Sequence, residues 1–595
     1  SGYVHETTDF ATVGLGHRRL SIIDLSASGH QPMSFKSKTV IFNGEIYNYS
    51  EIQGELREAG YEFNSSSDTE VILKAFDKWG EKAADKFVGM FAFALYDKDK
   101  QEVLIFRDRA GVKPLYFYNR NGVILFASEI KSFHKHRSFT KEMDHDSLAL
   151  FLQYNYIPTP YCIFKHTSKL EPGHFLKINL KTKDVDKQKY WDVVDCYNQP
   201  KLDISYDEAV DETEKLLKKA FSYRMVADVP VGLFLSGGYD STAVAAILQS
   251  QSKSKIKTFT IGYAESEFNE ADEAQKVANY IGTDHTEKYC TAEDTADILE
   301  KLPFIYDEPF ADNSVVPTYL VSQLAKSQVK VALSGDAGDE IFAGYDKFNR
   351  AINFTKYPGF LQSMMSSAMS MIPSEKVPVL NKTYNFTTRY NKMKEIWKHQ
   401  DPGVAMKIIS QFITQAEASS FLQNNFVDRN TYFDISGKLN EDNDALNKLL
   451  AIDYKTFLLD NNLTKVDRAT MAVGLEGREP ILDHNILEFA SRLPSEYKIR
   501  NGENKSILKT IVHRYVPKEI MERPKKPFLA PLTVWFKDKL KDYYYEYLDE
   551  NKLKQDGIFT PEILSLRNDY MSGKQVNHQK LWNILMFQMW KEKWL

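Results

Sequence analysis

The chain has 595 residues, of which 43% are hydrophobic and 26% charged, and its formal net charge is −5. This length exceeds what one core supports, so we expect about two to four domains. The charge gives no indication of nucleic-acid binding, the three cysteines follow neither a metal-ligand nor a disulfide pattern, and no apolar run could cross a bilayer. We therefore expect a cytoplasmic enzyme without a nucleic-acid or membrane partner, and we leave a homodimer open.

Strand patterns dominate residues 1–195, where short apolar runs alternate with turn residues. Two stretches have helical spacing instead. We expect an α+β domain with stacked sheets. The predicted strands are Thr39–Phe42, Met90–Tyr96, Val103–Phe106 and Val123–Phe126, and the predicted helices are Tyr49–Ala59 and Thr69–Trp79.

Three polar clusters lie at predicted strand ends in this domain: Gly16–Ser21, Asn43–Asn48 and Ser65–Glu70. An arginine, an Asn-Gly-Glu turn and an aspartate could together hold a zwitterionic amino acid, with the arginine on its carboxylate and the acids on its ammonium. Taken singly, each cluster is typical of a turn or a helix cap. Asp68 is a candidate N-cap for the helix that follows it.

A linker is predicted at residues 196–205, because the chain from Asp192 to Ile204 lacks any periodic apolar pattern. Beyond it, residues 206–595 start with a helix at Tyr206–Ser222 and then alternate strands with helices. This alternation predicts a doubly wound parallel sheet, which binds ligands beyond the carboxyl ends of its strands. The predicted strands are Gly232–Leu235, Lys257–Ile261, His285–Tyr289 and Val329–Leu333.

The most informative stretch is the loop Ser236–Ser241, which joins an apolar strand to the helix beginning at Thr242. Unpaired backbone N–H groups at such a turn suit a pyrophosphate, and Gly237 and Gly238 let the backbone approach it. Asp240 does not fit a pure anion site. A carboxylate beside phosphates requires a bridging cation, which points to Mg²⁺. By itself, the loop is equally compatible with an ordinary Gly-Gly turn.

A second loop, Ser334–Glu340, also follows a predicted strand. In a doubly wound sheet it would face the first loop across the crevice. Asp240 and Asp339 would then offer two carboxylates to Mg²⁺ beside one triphosphate, so the sequence predicts a triphosphate site here.

Segments along nearly the whole chain resemble the glutamine-hydrolysing asparagine synthetases. In the first domain these are Leu15–Asp24, Phe42–Asn48, Asp68–Glu70, Gly89–Ala94, Arg107–Tyr116 and Phe126–Lys131. In the second they are the two loops with Asp307–Phe310, Lys465–Arg468, Glu476–Arg478, Pro480–Asp483 and Gly502–Leu508. The resemblance implies an N-terminal-nucleophile hydrolase sandwich, followed by a doubly wound parallel sheet of ATP-pyrophosphatase type with added helices.

For the first domain, the resemblance implies a glutaminase. Arg19 would bind the glutamine carboxylate, Asn43 and Gly44 would form the oxyanion hole, and Glu45 and Asp68 would receive the ammonium group. The family's nucleophile is an N-terminal cysteine, which this sequence lacks. Ser1 is no substitute, because only fourteen residues separate it from Gly16, whereas the family places a strand and a helix in that interval. We expect either that the sequence given begins after the first strand or that the glutaminase is inert.

For the second domain, the resemblance implies ATP cleavage between the α- and β-phosphates. Lys505 would neutralise charge on the departing pyrophosphate, and Asp336 would lie beside the acyl site. The other implied ATP contacts are Ser236, Gly237, Gly238, Asp240, Ser241, Ser334 and the backbones of Ile261 and Gly335.

The implied reaction converts a carboxylate to an amide, through an adenylate, with ammonia from glutamine. Aspartate is the family's acceptor, but one branch carries an arginine for the aspartate α-carboxylate in the segment matching Ala311–Pro317, and none is present here. The first alternative is amidation of a uronic acid for a surface polysaccharide. A cyclase resembling β-lactam synthetase and a non-catalytic scaffold are the two remaining hypotheses.

Residues 350–450 indicate no function. Their Met-rich helical stretch, Tyr357–Met371, is typical of core or interface.

Overall fold

The computed structural model describes residues 2–372, 374, 377, 386–523, 528–574 and 576–595. Ser1, the excluded nucleophile, lies outside the described residues. The elements of the N-terminal domain are β1 (Gly2–Thr7), β2 (Thr12–His17), β3 (Met33–Phe35), β4 (Lys38–Ile46), α1 (Tyr49–Glu58), α2 (Asp68–Trp79), α3 (Ala83–Lys86), β5 (Gly89–Asp97), β6 (Glu102–Arg107), β7 (Tyr116–Arg120), β8 (Val123–Ala127), α4 (His145–Tyr154), β9 (Thr167–Lys169), β10 (His174–Asn179), β11 (Val185–Lys189) and α5 (Val193–Tyr197).

A six-stranded sheet of order β11-β10-β6-β5-β4-β3 forms the centre of this domain. Its pairs are antiparallel, with Asn43 of β4 opposite Ala92 of β5. Helices α1 and α2 pack on one face through a cluster that includes Phe76 and Phe93. The β1–β2 hairpin and the β8-β7-β9 sheet cover the other face. Buried apolar side chains thus lie on both sides of the sheet, and the predicted sandwich is confirmed.

Two local expectations in this domain differ from the structure. Asp68 does not cap α2, because Ser67 precedes it and accepts a hydrogen bond from Thr69 N at 3.2 Å. This leaves the Asp68 carboxylate in the first turn, where it accepts from Ile46 N at 3.0 Å. The stretch from Asp192 is not all linker either, since Asp192 caps the short helix α5.

The C-terminal domain begins at α6 and consists mainly of helices around one parallel sheet. Its elements are α6 (Tyr206–Arg224), β12 (Val231–Phe234), α7 (Tyr239–Gln251), β13 (Lys257–Tyr263), α8 (Ala271–Ile281), β14 (Asp284–Cys290), α9 (Ala292–Leu299), α10 (Leu302–Tyr306), α11 (Val315–Lys326), β15 (Val331–Leu333), α12 (Gly338–Ile341), α13 (Asp346–Thr355), α14 (Gly359–Met371), α15 (Phe386–Ile396), α16 (Pro402–Ser410), α17 (Gln415–Phe421), α18 (Ala445–Asp453), α19 (Thr464–Ala472), β16 (Glu476–Arg478), α20 (His484–Ala490), α21 (Ser495–Lys498), β17 (Ile499–Arg500), β18 (Glu503–Asn504), α22 (Ser506–Val512), α23 (Lys518–Met521), α24 (Leu532–Trp535), α25 (Lys541–Tyr547), α26 (Glu550–Asp556), α27 (Glu562–Met571) and α28 (His578–Trp594). A π-helix, Tyr454–Leu463, joins α18 to α19.

The sheet of this domain has the order β14-β13-β12-β15-β16, and all its pairs are parallel. The chain moves outward from β12 to β14 and then returns to β15 on the other side of β12. This reversal makes the edge between β12 and β15 the switch point at which such sheets bind ligands. The predicted doubly wound sheet is confirmed.

The Met-rich stretch forms α14, which lies largely at the surface. Phe360, Met364 and Met371 are 72%, 59% and 82% exposed. The core interpretation is therefore wrong for these side chains, and the interface interpretation stays a prediction. Among the described residues, no helix is long and apolar enough to cross a membrane.

Candidate functional site

The loop Ser236–Ser241 connects β12 to α7 at the switch point. Its backbone is held by hydroxyl groups, with Ser236 N donating to Ser241 Oγ at 3.2 Å and Gly238 N donating to Ser236 Oγ at 3.3 Å. Gly237 has φ +71, and a Cβ there would lie 2.9 Å from the backbone N of Ala274. Only glycine therefore fits this turn at position 237, whereas the predicted approach of the backbone to a pyrophosphate stays a prediction.

The loop Ser334–Glu340 follows β15, which pairs with β12. Ser334 N donates to Arg478 O of the neighbouring strand at 2.9 Å. A Cβ on Gly335 would lie 2.6 Å from Ser241 N, so the backbones of the two loops are in direct contact. Two segments almost a hundred residues apart in the chain thereby form one continuous backbone surface.

Lys505 lies between the two predicted metal ligands. Its Nζ is 2.5 Å from Asp240 Oδ2 and 2.6 Å from Asp339 Oδ1. Burial alone would lower the pKa of Lys505, but these carboxylates raise it well above its ordinary value. The residue precedes α22 with φ +59, a conformation that costs energy for a lysine and often marks a functional position. The structure thus places a permanent positive charge at the mouth of both loops.

Asp336 shares a polar cluster with residues outside the two loops. Burial raises the pKa of Asp336, and Lys465 opposes this rise. Lys465 Nζ also lies 3.8 Å from Asp312 Oδ2, and Asp312 accepts a hydrogen bond from Asn461 of the π-helix. Burial would raise the pKa of Asp312 too, but Lys465 and neighbouring donors lower it, so Asp312 is ionised at neutral pH.

A second site lies in a cavity of about 40 Å³ between the domains. The predicted glutamine ligands all line it: Arg19, Asn43, Gly44, Glu45 and Asp68. They come from the turn after β2, from β4 and from the start of α2, so the three polar clusters of the sequence converge as expected. Gly44 has φ +138, and it lies opposite Phe91 in the antiparallel pair of β4 and β5.

The charged groups of this cavity are strongly perturbed. Burial raises the pKa of Asp68 to about 6. Burial and the nearby Glu476 raise the pKa of Glu45 well above its ordinary value. Burial also lowers the pKa of His17, which lines the cavity, to about 4. Perturbed carboxyls in a concave site are typical of binding and catalytic sites.

Two family models match this chain. One, described as asparagine synthase, covers residues 212–592, and the other, described as a glutamine amidotransferase domain, covers residues 2–191. The chain belongs to the asparagine synthetase family.

Curated relatives support this assignment. Asparagine synthetase [glutamine-hydrolyzing] 1 of Bacillus subtilis (strain 168) is 31% identical, over 99% of this chain and 90% of its own length. A putative asparagine synthetase [glutamine-hydrolyzing] 2 of Methanocaldococcus jannaschii is 34% identical, over 77% of this chain and 90% of its own length. A solved glutamine phosphoribosylpyrophosphate amidotransferase from B. subtilis is 14% identical, over 47% of this chain and 77% of its own, with a TM-score of 0.24 that is too low to bear on the fold.

As a member of the asparagine synthetase family, the chain is an ATP-dependent ligase with a glutamine amidotransferase domain. The structure brings its predicted ATP contacts to one sheet edge. Ile261 is buried in β13, next to β12 and two residues before the end of the strand, so its backbone is near the same edge. The roles of the individual residues stay predictions.

Sequence reasoning missed three charged residues of these sites. Glu476 lines the cavity of the predicted glutamine ligands, which we call the glutamine cavity, and Arg478 Nε lies 2.8 Å from the Glu476 carboxylate. Both belong to a motif that carried the resemblance, but nothing in the local sequence connects β16 with the N-terminal domain. Arg523, which lies outside both loops, donates from Nη2 to Ser236 O at 3.0 Å and so stabilises the backbone of the first loop. No pattern near Arg523 indicates this contact.

The residues present fit a magnesium ion bound with nucleotide. Mg²⁺ usually takes one or two carboxylates plus phosphate oxygens and water, and Asp240 and Asp339 supply two carboxylates that already share a cation, the Lys505 ammonium. The described residues contain no group of three or more His, Cys, Asp or Glu suited to a metal. The donor set therefore suits a metal that depends on substrate phosphates for its remaining ligands.

Proposed function

We propose that this protein adenylates a carboxylate with ATP and converts it to an amide with ammonia released from glutamine. The observation that carries the proposal is the contact between the two loops at the switch point, with Lys505 between Asp240 and Asp339. The names of the relatives favour aspartate as the acceptor and asparagine as the product. Since ATP and glutamine are intracellular metabolites, the same proposal places the enzyme in the cytoplasm.

The first step activates the acceptor, because a carboxylate is a poor electrophile and hydroxide a poor leaving group. A carboxylate oxygen attacks the α-phosphorus, the bond to the bridging oxygen breaks, and pyrophosphate leaves. The Lys505 ammonium stabilises the negative charge that develops there. Mg²⁺, when bound by Asp240 and Asp339, would neutralise phosphate charge. The loop N–H groups and the hydroxyls of Ser236 and Ser241 orient the phosphates.

In the second step, ammonia attacks the acyl carbon, AMP leaves and the nitrogen loses a proton. Asp336, the third residue of the loop Ser334–Glu340, is our candidate for positioning the ammonia. In the other site, Arg19 would hold the glutamine carboxylate, and Asn43 and Gly44 would donate to the oxyanion formed on hydrolysis. An internal route between the two sites would keep the ammonia unprotonated.

A uronic acid is the second candidate acceptor, and Asp312 favours it. The segment that would carry an arginine for the aspartate α-carboxylate has the ionised Asp312 instead, in the same cluster as Asp336. The negative charge of Asp312 would repel an acceptor that carries a second carboxylate, and the Lys465 ammonium would oppose this repulsion. The hydroxyl groups of a sugar would donate hydrogen bonds to Asp312.

One assay separates these acceptors. The protein would be supplied with ATP, Mg²⁺ and ammonia, and AMP would be measured with no acceptor, with aspartate and with UDP-linked uronic acids. AMP should rise well above the background with one class only, and should vanish in the Asp240→Asn variant. If no added carboxylate raises AMP, the amidotransferase proposal is wrong.

A further inference from the structure

One wall of the glutamine cavity belongs to the C-terminal domain. Glu476, on β16, is buried and lines the cavity with Arg19, Glu45 and Asp68 of the N-terminal domain. Neither the sequence nor the resemblance assigned a role to this residue. It places a carboxylate of the domain that would bind ATP in the pocket that would bind glutamine.

Charged groups of both signs surround this cavity. Three carboxylates, of Glu45, Asp68 and Glu476, lie with three guanidinium groups, of Arg18, Arg19 and Arg478. Arg478 is closely paired with Glu476 but reaches Glu45 Oε1 only at 3.9 Å. Glu45 Oε2 and Arg478 Nη2 are buried without a hydrogen-bond partner among the described residues. The cavity therefore holds a buried carboxylate oxygen that lacks a hydrogen-bond partner among the described residues, and a bound cation would stabilise it.

The strand that carries Glu476 also bounds the phosphate site. β16 pairs with β15 so that Glu476 lies opposite Val331 and Arg478 opposite Leu333. Arg478 O accepts the hydrogen bond of Ser334 N, the first residue of the second phosphate loop. Only Gly477 thus separates Glu476, whose carboxylate lines the glutamine cavity, from Arg478, whose carbonyl contacts the second phosphate loop.

We propose that Glu476 binds the ammonium group of glutamine together with Glu45 and Asp68, and that β16 thereby couples glutamine binding to nucleotide binding. This rests on the proposed function. A bound ammonium group donates hydrogen bonds to the Glu476 and Glu45 carboxylates, which also interact with Arg478. Binding therefore changes the ion pairs that position the Arg478 side chain. The Arg478 carbonyl, which accepts from Ser334 N, transmits this change to the second phosphate loop. By linkage, glutamine and nucleotide alter each other's affinity by the same factor.

The test measures the Kd of α,β-methylene-ATP, which cannot be cleaved at the reacting bond, with Mg²⁺ and with or without saturating L-glutamine. In the unmodified protein we expect glutamine to change this Kd by about fivefold or more. In Glu476→Gln, glutamine should bind about tenfold more weakly, since a charged hydrogen bond is lost. The ratio of nucleotide Kd values with and without glutamine should fall to about one in this variant.

Glu488→Gln is the matched control. Glu488 is another C-terminal-domain glutamate that contacts the N-terminal domain, through a 2.9 Å hydrogen bond from Trp191 Nε1, but it does not line the cavity. In Glu488→Gln, the ratio of nucleotide Kd values with and without glutamine should equal that of the unmodified protein. Glu476→Asp keeps the charge on a shorter side chain and should restore part of the coupling, which a loss of folding would not do.

Each outcome decides the proposal. If Glu476→Gln binds glutamine normally, or keeps the full coupling ratio, Glu476 does not have this role, although the amidotransferase function would be unaffected. If the unmodified protein binds glutamine without any effect on nucleotide affinity, the coupling is overturned. If it binds no glutamine at all while ammonia still supports AMP release, the glutaminase part of the proposed function fails as well.

Discussion

The phosphate site and the glutamine cavity are built in opposite ways. The phosphate site uses two continuous loops of one domain, and its carboxylates already hold the Lys505 ammonium. The glutamine cavity collects single residues from both domains, and one oxygen of its buried Glu45 has no hydrogen-bond partner in the part of the chain that the structure describes. At the first site one ammonium thus bridges both carboxylates before substrate arrives, whereas at the second a buried carboxylate oxygen remains available to a bound cation. Substitutions should therefore act on chemistry at the first site and on binding at the second.

The largest effect is expected at the phosphate site, from Lys505→Met. This change removes the cation beside the departing pyrophosphate, and loss of one such preorganised group lowers rates by about 10²–10³-fold. We expect AMP formation with ammonia to fall by about 10³-fold, measured under saturating ATP.

Lys509→Met is the control for this change. Lys509 is on α22, the helix that Lys505 precedes, but it pairs with the exposed Glu503, and surface pairs contribute little. AMP formation in Lys509→Met should stay within about twofold of the unmodified protein. A Lys505→Met variant that retained more than about a tenth of the activity would contradict a direct electrostatic role.

A smaller loss is expected from Gly335→Ala, which leaves every charge in place. The added Cβ would lie 2.6 Å from Ser241 N and 2.9 Å from the Asp240 carbonyl carbon, so the loops must separate. Since a displacement of about 1 Å can cost about 10²-fold in rate, AMP formation should fall by about 10²-fold. Gly437→Ala, where a Cβ meets nothing within 4 Å, should have no effect. Normal activity in Gly335→Ala would show that the loops need not touch.

The smallest effect is a pH dependence at the glutamine cavity. Burial raises the pKa of Asp68 to about 6, so this carboxyl is mostly neutral below that pH and cannot attract an ammonium group. Affinity for glutamine should rise with pH through this range and be about tenfold weaker at about pH 5 than at about pH 7. Calorimetric titration would measure it. Asp68→Asn should bind glutamine weakly with little change over the same range. An affinity that increases toward acidic pH would rule out ammonium binding by Asp68.

The same pKa shift has a consequence for stability. A carboxyl whose pKa is raised on folding binds more protons in the folded state, so its contribution favours folding at low pH. For Asp68, that contribution is complete below the ordinary pKa of 3.8 and is lost as the pH rises through about 6. The glutamine cavity thus contains a carboxyl that is costly to ionise until a cation binds.

Most of the phosphate site could be predicted from the sequence because its contacts are local. The strand, the glycines and the helix around Ser236–Ser241 are consecutive, and so are those of Ser334–Glu340. The alternating pattern then predicted that the loops meet. The role of Lys505 was predicted only from the resemblance. The hydrogen bond from Arg523 to Ser236 O was found only in the structure. A local prediction was wrong where two adjacent residues could each cap a helix: Asp68 was the candidate cap of α2, but Ser67 caps it.

The sequence by itself determined the two-domain organisation, the parallel sheet and the residues of both phosphate loops, because periodicity and turn chemistry depend on neighbours in the chain. Tertiary structure alone decided that Glu476 lines the glutamine cavity, since the pairing of β16 with β15, and no neighbour in the chain, positions it there. It also decided the exposure of α14, whose apolar pattern is the same in a core or at a surface. Burial and charge balance are properties of the assembled fold, and no short segment contains them.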